Sequence, residues 1–371
     1  MSNAHIPLFK VFMPDSAHDA LKPVLESGRL ATGPQVAKFE SQLAAWFGVS
    51  DTVALSDASG ALTLALYLAG VRPGDEVVTS PLACSATLMP IANLFARPVW
   101  CDVDPQTGMP TSDHIAGCIT EKTRAILLYH WSGDVADSGA IAALARRHGI
   151  KLIEDASEAF GAQRHNRRLG DTADFTAYSF YATKHINTGE GAALLAADPG
   201  DLENARHLRR FGIDYSTFRL PGGDLNPRFD IPLAGFNFAM NEIAATLGLE
   251  QLPHADAIVA RYRANGSFYE STLGGIPGLT LLKRREDSIS GWWTYALRAE
   301  RRDDLICKLI SCGIGAQRLH LRNDGYSCFG ARQTELPGVS LFDEQNLSIP
   351  SGWWVDEAER ERVASCLRSG W

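Results

Sequence analysis

Between residues 50 and 197, short apolar runs alternate with segments of helical pattern, and no other feature restricts the fold of this chain so far. The runs fall at 52–55, 76–79, 98–101, 125–129, 151–153, 175–180 and 192–196. Helical patterns lie between several of them, notably at 60–68 and at 138–148, the latter closed by Gly149. Strands alternating with helices build βαβ units around a mainly parallel sheet. In open sheets of this kind ligands gather at the carboxyl ends of the strands. The residues just after each run are therefore the candidates for function.

Past residue 200 the pattern changes. Segments 202–211 and 241–273 read as helices, the second broken near Pro253, and from about residue 276 strands and helices mix (292–297, 303–312, 356–367). The 371 residues accordingly divide into a large α/β unit with an N-terminal segment, 1–250, and a smaller C-terminal α+β unit, 251–371. A hydrophobic share of 45% excludes disorder. The net charge of −8, with both signs interspersed, argues against nucleic acid or an anionic membrane as partner. Seven cysteines without a C-x-x-C pair fit neither a disulfide framework nor a zinc or iron–sulfur site, so no metal is expected. The first 19 residues lack the basic start and apolar run of a signal peptide, and no stretch approaches the ~20 apolar residues of a membrane helix. A cytoplasmic protein is expected.

Two segments carry the strongest chemical signal: LIEDASEAFGA at 152–162 and YSFYATKHINTGEGA at 178–192. Asp155 stands directly after one apolar run, and Lys184 follows another in a glycine-containing loop. An acid and a lysine so placed can serve pyridoxal phosphate. The lysine bonds to the aldehyde, and the carboxylate keeps the pyridine nitrogen protonated so that the ring accepts electrons. Taken alone, the pair also fits a solvated loop lysine and an acidic helix cap.

The flanking residues resemble the DegT/DnrJ/EryC1/StrS sugar aminotransferase family, pyridoxal-phosphate enzymes of the aspartate-aminotransferase fold. Ser179, Phe180, Lys184, Gly189, Glu190 and Gly191 fill the pattern S-F-x-x-x-K-x-x-x-x-G-(E/D)-G. Glu154, Asp155, Ser157 and Gly161 fill E-D-x-(A/S)-x-x-x-G. SGRLATGPQVAKFE (27–40) is similar to G-x-x-x-x-G-x-x-V-x-x-F-E, and GFNFAMNEIAATLGLEQL (235–252) to a later family motif, with Thr246 in place of an Ala. The motifs keep family order from about residue 27 to LSIP at 347–350.

The resemblance implies roles residue by residue. Lys184 is the cofactor lysine, whose freed amine then carries a proton and touches substrate; Asp155 partners the pyridine nitrogen, and Ser157 lies against a ring face. SDASGAL (56–62) is similar to the family's phosphate turn N-S-G-T-x-A-L, with Ala58 and Ser59 at the anion. Ala58 replaces a Gly, which would be costly if that position needed a positive φ. Ser179 adds a hydroxyl, and Asn237 resembles the residue that reaches across from the neighbouring subunit, implying a homodimer with shared active sites. Thr32 and His320 fall on the substrate side.

Three departures stand out. Cys84, in SPLACSAT (80–87), occupies the place of an aromatic that covers the pyridine; Glu158 replaces His or Gln; and HLRND (320–324) differs from the commoner H-Y-x-x-x-H while keeping His320. Other conspicuous residues have structural readings. Trp292, Trp293, Trp353 and Trp354 suit packing, and Arg209 and Arg210 suit either a solvated helix face or a donor carboxylate. His130 suits either a cleft wall or a structural hydrogen bond.

The implied activity is pyridoxal-phosphate-dependent transfer of an amino group from an amino acid, expected to be L-glutamate, to a keto group of a nucleotide-linked deoxysugar. The alternatives are amination of a cyclitol or other small ketone, a pyridoxal-phosphate sugar dehydratase, and a non-catalytic regulator. Dehydratases of that branch carry His in place of the lysine, and Lys184 speaks against one although His185 stands beside it.

Overall fold

The computed structural model describes residues 5–330 and 335–371. Helices α1 (Ser16–Ser27) and α2 (Pro34–Phe47) lead into the alternating region: β1 (Val53–Leu55), α3 (Ala58–Leu68), β2 (Glu76–Thr79), α4 (Ser85–Asn93), β3 (Arg97–Trp100), α5 (Ser112–Ala116), β4 (Thr123–Tyr129), α6 (Ser138–His148) and β5 (Lys151–Asp155). A short hairpin, β6 (Gln163–Arg164) and β7 (Arg167–Arg168), precedes β8 (Phe175–Ser179) and β9 (Ala192–Ala196). The strands β1, β9, β8, β5, β4, β2 and β3, in that order, form one sheet of seven. Every pairing is parallel except those of β9, which runs antiparallel to both neighbours. Its inner strands are buried on both faces, which is why they read as unbroken apolar runs rather than alternating ones.

Helix α3 is apolar all round, with Gly60 through Leu66 buried, as a helix sandwiched in a core must be. α7 (Pro199–Leu208) follows β9, its start capped by the Asp198 carboxylate accepting from the Gly200 amide. It stops three residues short of the expected end, because the chain turns back through Phe211 at a φ of 64°. The expected long helix is α8 (Glu242–Gln251) and α9 (Ala255–Thr272), separated by a 3-10 turn that contains Pro253, which has no N–H to continue the ladder. α8 packs on α1 and α2. Gly248 permits the close approach to α2, since a methyl there would collide with the buried ring of Phe39. Forcing one in costs about 1–3 kcal/mol.

The C-terminal part comprises β10 (Leu279–Leu281), β11 (Ser288–Ile289), β12 (Tyr295–Ala299), α10 (Arg302–Ser311), α11 (Pro337–Gln345), β13 (Asn346–Ile349) and α12 (Glu357–Arg368). β10, β12 and β13 make a three-stranded sheet. Its core takes in Ile6 from the other end of the chain, whose backbone exchanges hydrogen bonds with Gly313 and Gly315. No helix among the described residues is long and apolar enough to cross a membrane.

Candidate active site

β5 and β8 are adjacent and parallel, so the loops after the two strands emerge at the same edge of the sheet. Asp155 ends β5 with its side chain buried. One carboxylate oxygen accepts the hydroxyl of Thr87 at 2.6 Å, the other the amide of Ser157 at 2.9 Å. A carboxylate has about four lone-pair positions, so this buried acid keeps acceptor capacity.

After β8 the chain makes a closed loop. The Phe180 amide donates to Gly191 at 2.8 Å, Thr188 to Phe180 at 2.9 Å, and Lys184 to Tyr181 at 2.9 Å. Gly189 takes a φ of 80°, and a methyl on Gly191 would strike the Thr188 hydroxyl, so both glycines of the G-E-G motif are required by geometry. The loop presents Lys184 inward. Its amine lies 3.8 Å from a Glu158 oxygen and 3.3 Å from the centre of the Trp293 ring. Burial pushes the amine below its usual proton affinity, against the opposing pull of Glu158, Cys84 and Asp155.

Glu158 is wholly buried. One oxygen accepts the Ser132 amide at 2.7 Å, and the other lies 3.0 Å from Nε2 of His320. The same His320 nitrogen is 3.0 Å from the Tyr129 hydroxyl, with Trp131 edge-on to the imidazole. Burial pushes the Glu158 carboxyl up, but Lys184, His320 and Tyr129 outweigh it and hold it below the usual carboxylate range. Cys84 opens α4 within the field of Glu158, Lys184 and Asp155, and burial raises its thiol. The segments around Cys84 and His320 also touch: the Asn323 side chain donates to the carbonyls of Pro81 and Ala83 at 3.0 and 2.8 Å.

At the end of β1, the Asp57 side chain caps α3 by accepting from the Gly60 amide at 2.7 Å. Ala58 is the first helical residue and is absent from the positive-φ positions, so the cost expected of replacing Gly does not arise. The amides of Ala58 and Ser59, in the first turn, have no acceptor within the helix. The Ser59 hydroxyl bonds the Ala86 carbonyl at 2.9 Å, joining this turn to α4. The Ser179 hydroxyl oxygen accepts from the Tyr181 amide at 3.2 Å, which leaves its proton to donate.

Two expected residues stand apart from this cluster within the chain. Asn237 is exposed on a strap whose neighbours Phe236 and Phe238 stack on each other at 5.1 Å. The Phe238 carbonyl accepts from Ser56 at 2.7 Å, and the ring lies so close over Gly60 that a methyl there would meet it at 2.9 Å. Thr32 donates its hydroxyl to the Met240 carbonyl at 2.8 Å, while the Glu242 carboxylate accepts from the amides of Gln35 and Val36 at the start of α2.

The sequence alone does not single out Thr87, Tyr129, Ser132 or Trp293 as site residues. Tyr129 ends an apolar run and Ser132 follows it closely, a position that marks both for inspection. His130 is structural: buried, accepting from Ala136 at Nδ1, with Nε2 3.4 Å from Glu154. Arg209 is neither solvated nor free for a donor, since it is buried against Glu40 and the Ala54 carbonyl. All seven cysteines are free, and no described residues form a metal-binding group.

A mainly parallel sheet bringing a buried lysine and a buried carboxylate to adjacent strand ends is the framework of a pyridoxal-phosphate-dependent transaminase, and this chain is one. It belongs to the DegT/DnrJ/EryC1/StrS aminotransferase family, whose model matches residues 13–368. It is 32% identical over 357 residues to the dTDP-3-amino-3,4,6-trideoxy-alpha-D-glucose transaminase of Streptomyces venezuelae, covering 94% of this chain and 90% of that one. It is 31% identical over 337 residues to the spore coat polysaccharide biosynthesis protein SpsC of Bacillus subtilis (88% and 87% covered). Among solved structures, the sugar aminotransferase CalS13 of Micromonospora echinospora superposes with a TM-score of 0.94 at 33% identity, covering 99% of this chain and 100% of that one.

Proposed function

We propose that this protein moves an amino group from L-glutamate to a keto group of a nucleotide-linked deoxysugar, using pyridoxal 5'-phosphate bound to Lys184. The placement of the Lys184 amine, its side chain only 10% exposed, within the field of the buried Asp155 carboxylate carries this reading. The residues present fit the cofactor's three polar parts: an amine for the aldehyde, an acid with spare acceptor capacity for the pyridine N–H, and a helix start with unpaired amides for the phosphate. When bound, the cofactor supplies the electron sink for carbanion chemistry.

The rest belongs to the chain. Asp155, held from two sides by Thr87 and Ser157, would face the pyridine nitrogen. Ala58, Ser59 and Ser179 would hold the phosphate, with the partner subunit's Asn237 completing the cup in a homodimer. Ser157 and Cys84 would line the faces of the ring, and Glu158 its edge. Lys184, with its lowered proton affinity, would take a proton from a substrate carbon and give it back. In this reading residues 1–250 hold the cofactor and 251–371 bring His320 over it; Thr32 would meet the substrate only by way of the segment it pins. The nucleotide-sugar acceptor is supported by the activity named for the Streptomyces relative.

The test is turnover with L-glutamate against a panel of keto-sugar nucleotides and a cyclitol ketone, with products read by mass spectrometry. Amination of a nucleotide-linked keto-sugar is expected. Amination of the cyclitol ketone alone would overturn the sugar reading, and dehydration without amination would overturn the transaminase assignment of this site.

A further inference from the structure

A carboxylate with no exposed surface, as Glu158 is, costs several kcal/mol unless donors and a cation surround it. Here they do. The Ser132 amide and His320 Nε2 bond its two oxygens, the Tyr129 hydroxyl adds to them, and Lys184 stands at 3.8 Å. The oxygen nearest the amine is the one His320 holds, so a residue of the C-terminal part fixes the anion that faces the lysine.

The separation matters. At 3.8 Å the amine and the carboxylate attract as charges without the short hydrogen bond that would pin the amine in one direction. The groups facing the amine are Glu158, Asp155 and Cys84 from the large sheet's edge, with Trp293 and, behind Glu158, His320 from the C-terminal part. Of these, Glu158 makes the ion pair. A neutral His or Gln at this position would leave burial to act on the amine with far less opposition.

We propose that Glu158 is the counter-ion that sets the proton affinity of the Lys184 amine, with Ser132 and His320 as positioning residues that hold its carboxylate in place. This rests on Lys184 being the proton carrier of the proposed transfer. The carboxylate stabilises the ammonium that forms when the amine takes a proton, and leaves the amine free to swing when it gives the proton up. No bond to Glu158 forms or breaks in that step; the proton moves between substrate carbon and Lys184 nitrogen.

The test does not use catalysis. The full-length protein, freed of cofactor, is labelled with trace acetic anhydride across a pH series, and acetylation of the Lys184 peptide is quantified by mass spectrometry. In Glu158→Gln the pH of half-maximal labelling at Lys184 should fall by about one unit or more, a tenfold change in proton affinity. His320→Gln should move it the same way by less, while the exposed Lys38 stays put in both. An unchanged Lys184 midpoint in Glu158→Gln would overturn the proposal. Should that variant fail to fold, thermal unfolding of Lys184→Met and of Lys184→Met/Glu158→Gln decides. The double variant should be the more stable, because it no longer buries an anion deprived of its lysine counter-ion, and equal or lower stability would overturn the pairing. Absence of amino transfer by the wild type would refute the transaminase reading and leave these outcomes intact.

Discussion

Trp293 covers Lys184: the amine sits 3.3 Å from the centre of the indole ring, and the indole N–H donates at 2.8 Å to the carbonyl of Thr183, the residue before the lysine. One side chain thus shields the amine from water and holds the backbone that carries it. The ring's attraction for a cation, about 0.5–2 kcal/mol, adds to that of Glu158 and opposes the penalty of burial. The result is an amine dry enough to release a proton and sufficiently compensated to accept one.

The proposed function requires covalent attachment of the cofactor at Lys184. Borohydride reduction of the holoenzyme and peptide mass spectrometry should find the pyridoxyl mass on Lys184. A Lys184→Ala protein that still transferred amino groups at the full rate would refute the assignment.

Asp155→Asn should retain cofactor while slowing amino transfer at least about a hundredfold, since the preorganised charge is lost and the contacts remain. Thr87→Val removes one hydrogen bond to a charged acceptor, worth about 1.5–3 kcal/mol, and its rate should fall between those of Asp155→Asn and wild type. Near-normal rates in Asp155→Asn would assign the acid's role elsewhere.

Asn237 is exposed, with Phe236 and Phe238 turned onto the chain's own α3, and the proposed homodimer gives its side chain to the second copy. Lys184→Ala and Asn237→Ala subunits, each impaired alone, should regain part of the activity when mixed into hybrids, because one of the two symmetric sites then carries neither defect. Hybrids no more active than their parents would place Asn237 in its own subunit's site.

His185, next to the lysine, bonds the Gly291 carbonyl at 2.8 Å and packs on the ring of Tyr262. Burial pushes its imidazole down from 6.5 to about 4. A folded-state value below the unfolded one gives stability that is complete above about pH 6.5 and is lost as the pH falls toward 4. The loss amounts to roughly 3 kcal/mol. Denaturant unfolding across that range should show the decline, and His185→Gln should flatten it. An equally steep decline in the variant would assign the acid sensitivity to other groups.

The strands are readable because buried parallel strands are continuous apolar runs, and Asp155 and Lys184 because each stands just past one. The residues that escape such reading are those whose meaning lies in distant pairings. Tyr129 gains its place from His320, 191 positions away, and Ser132 works through its amide, which every residue type but proline has. Trp293 reads in the sequence as a packing residue, and it is one; nothing local tells that the thing packed is a lysine amine. The early end of α7 hides in the left-handed turn at Phe211, a conformation that Phe rarely adopts and its side chain does not advertise.

The stretch from Ile6 to Phe12 touches both the lysine loop and residues of the C-terminal part. Ile6 pairs with the backbone around Ile314, Pro7 accepts from the Trp354 indole at 2.9 Å, and Phe9 stacks on Trp293 at 4.9 Å. Phe12 accepts from Asn187 in the lysine loop. During synthesis these residues leave the ribosome hundreds of residues before Trp293, Ile314 and Trp354, against which they dock. The wall behind Lys184 is therefore finished only when the last third of the chain has emerged, so a nascent chain halted before that point carries its lysine uncovered.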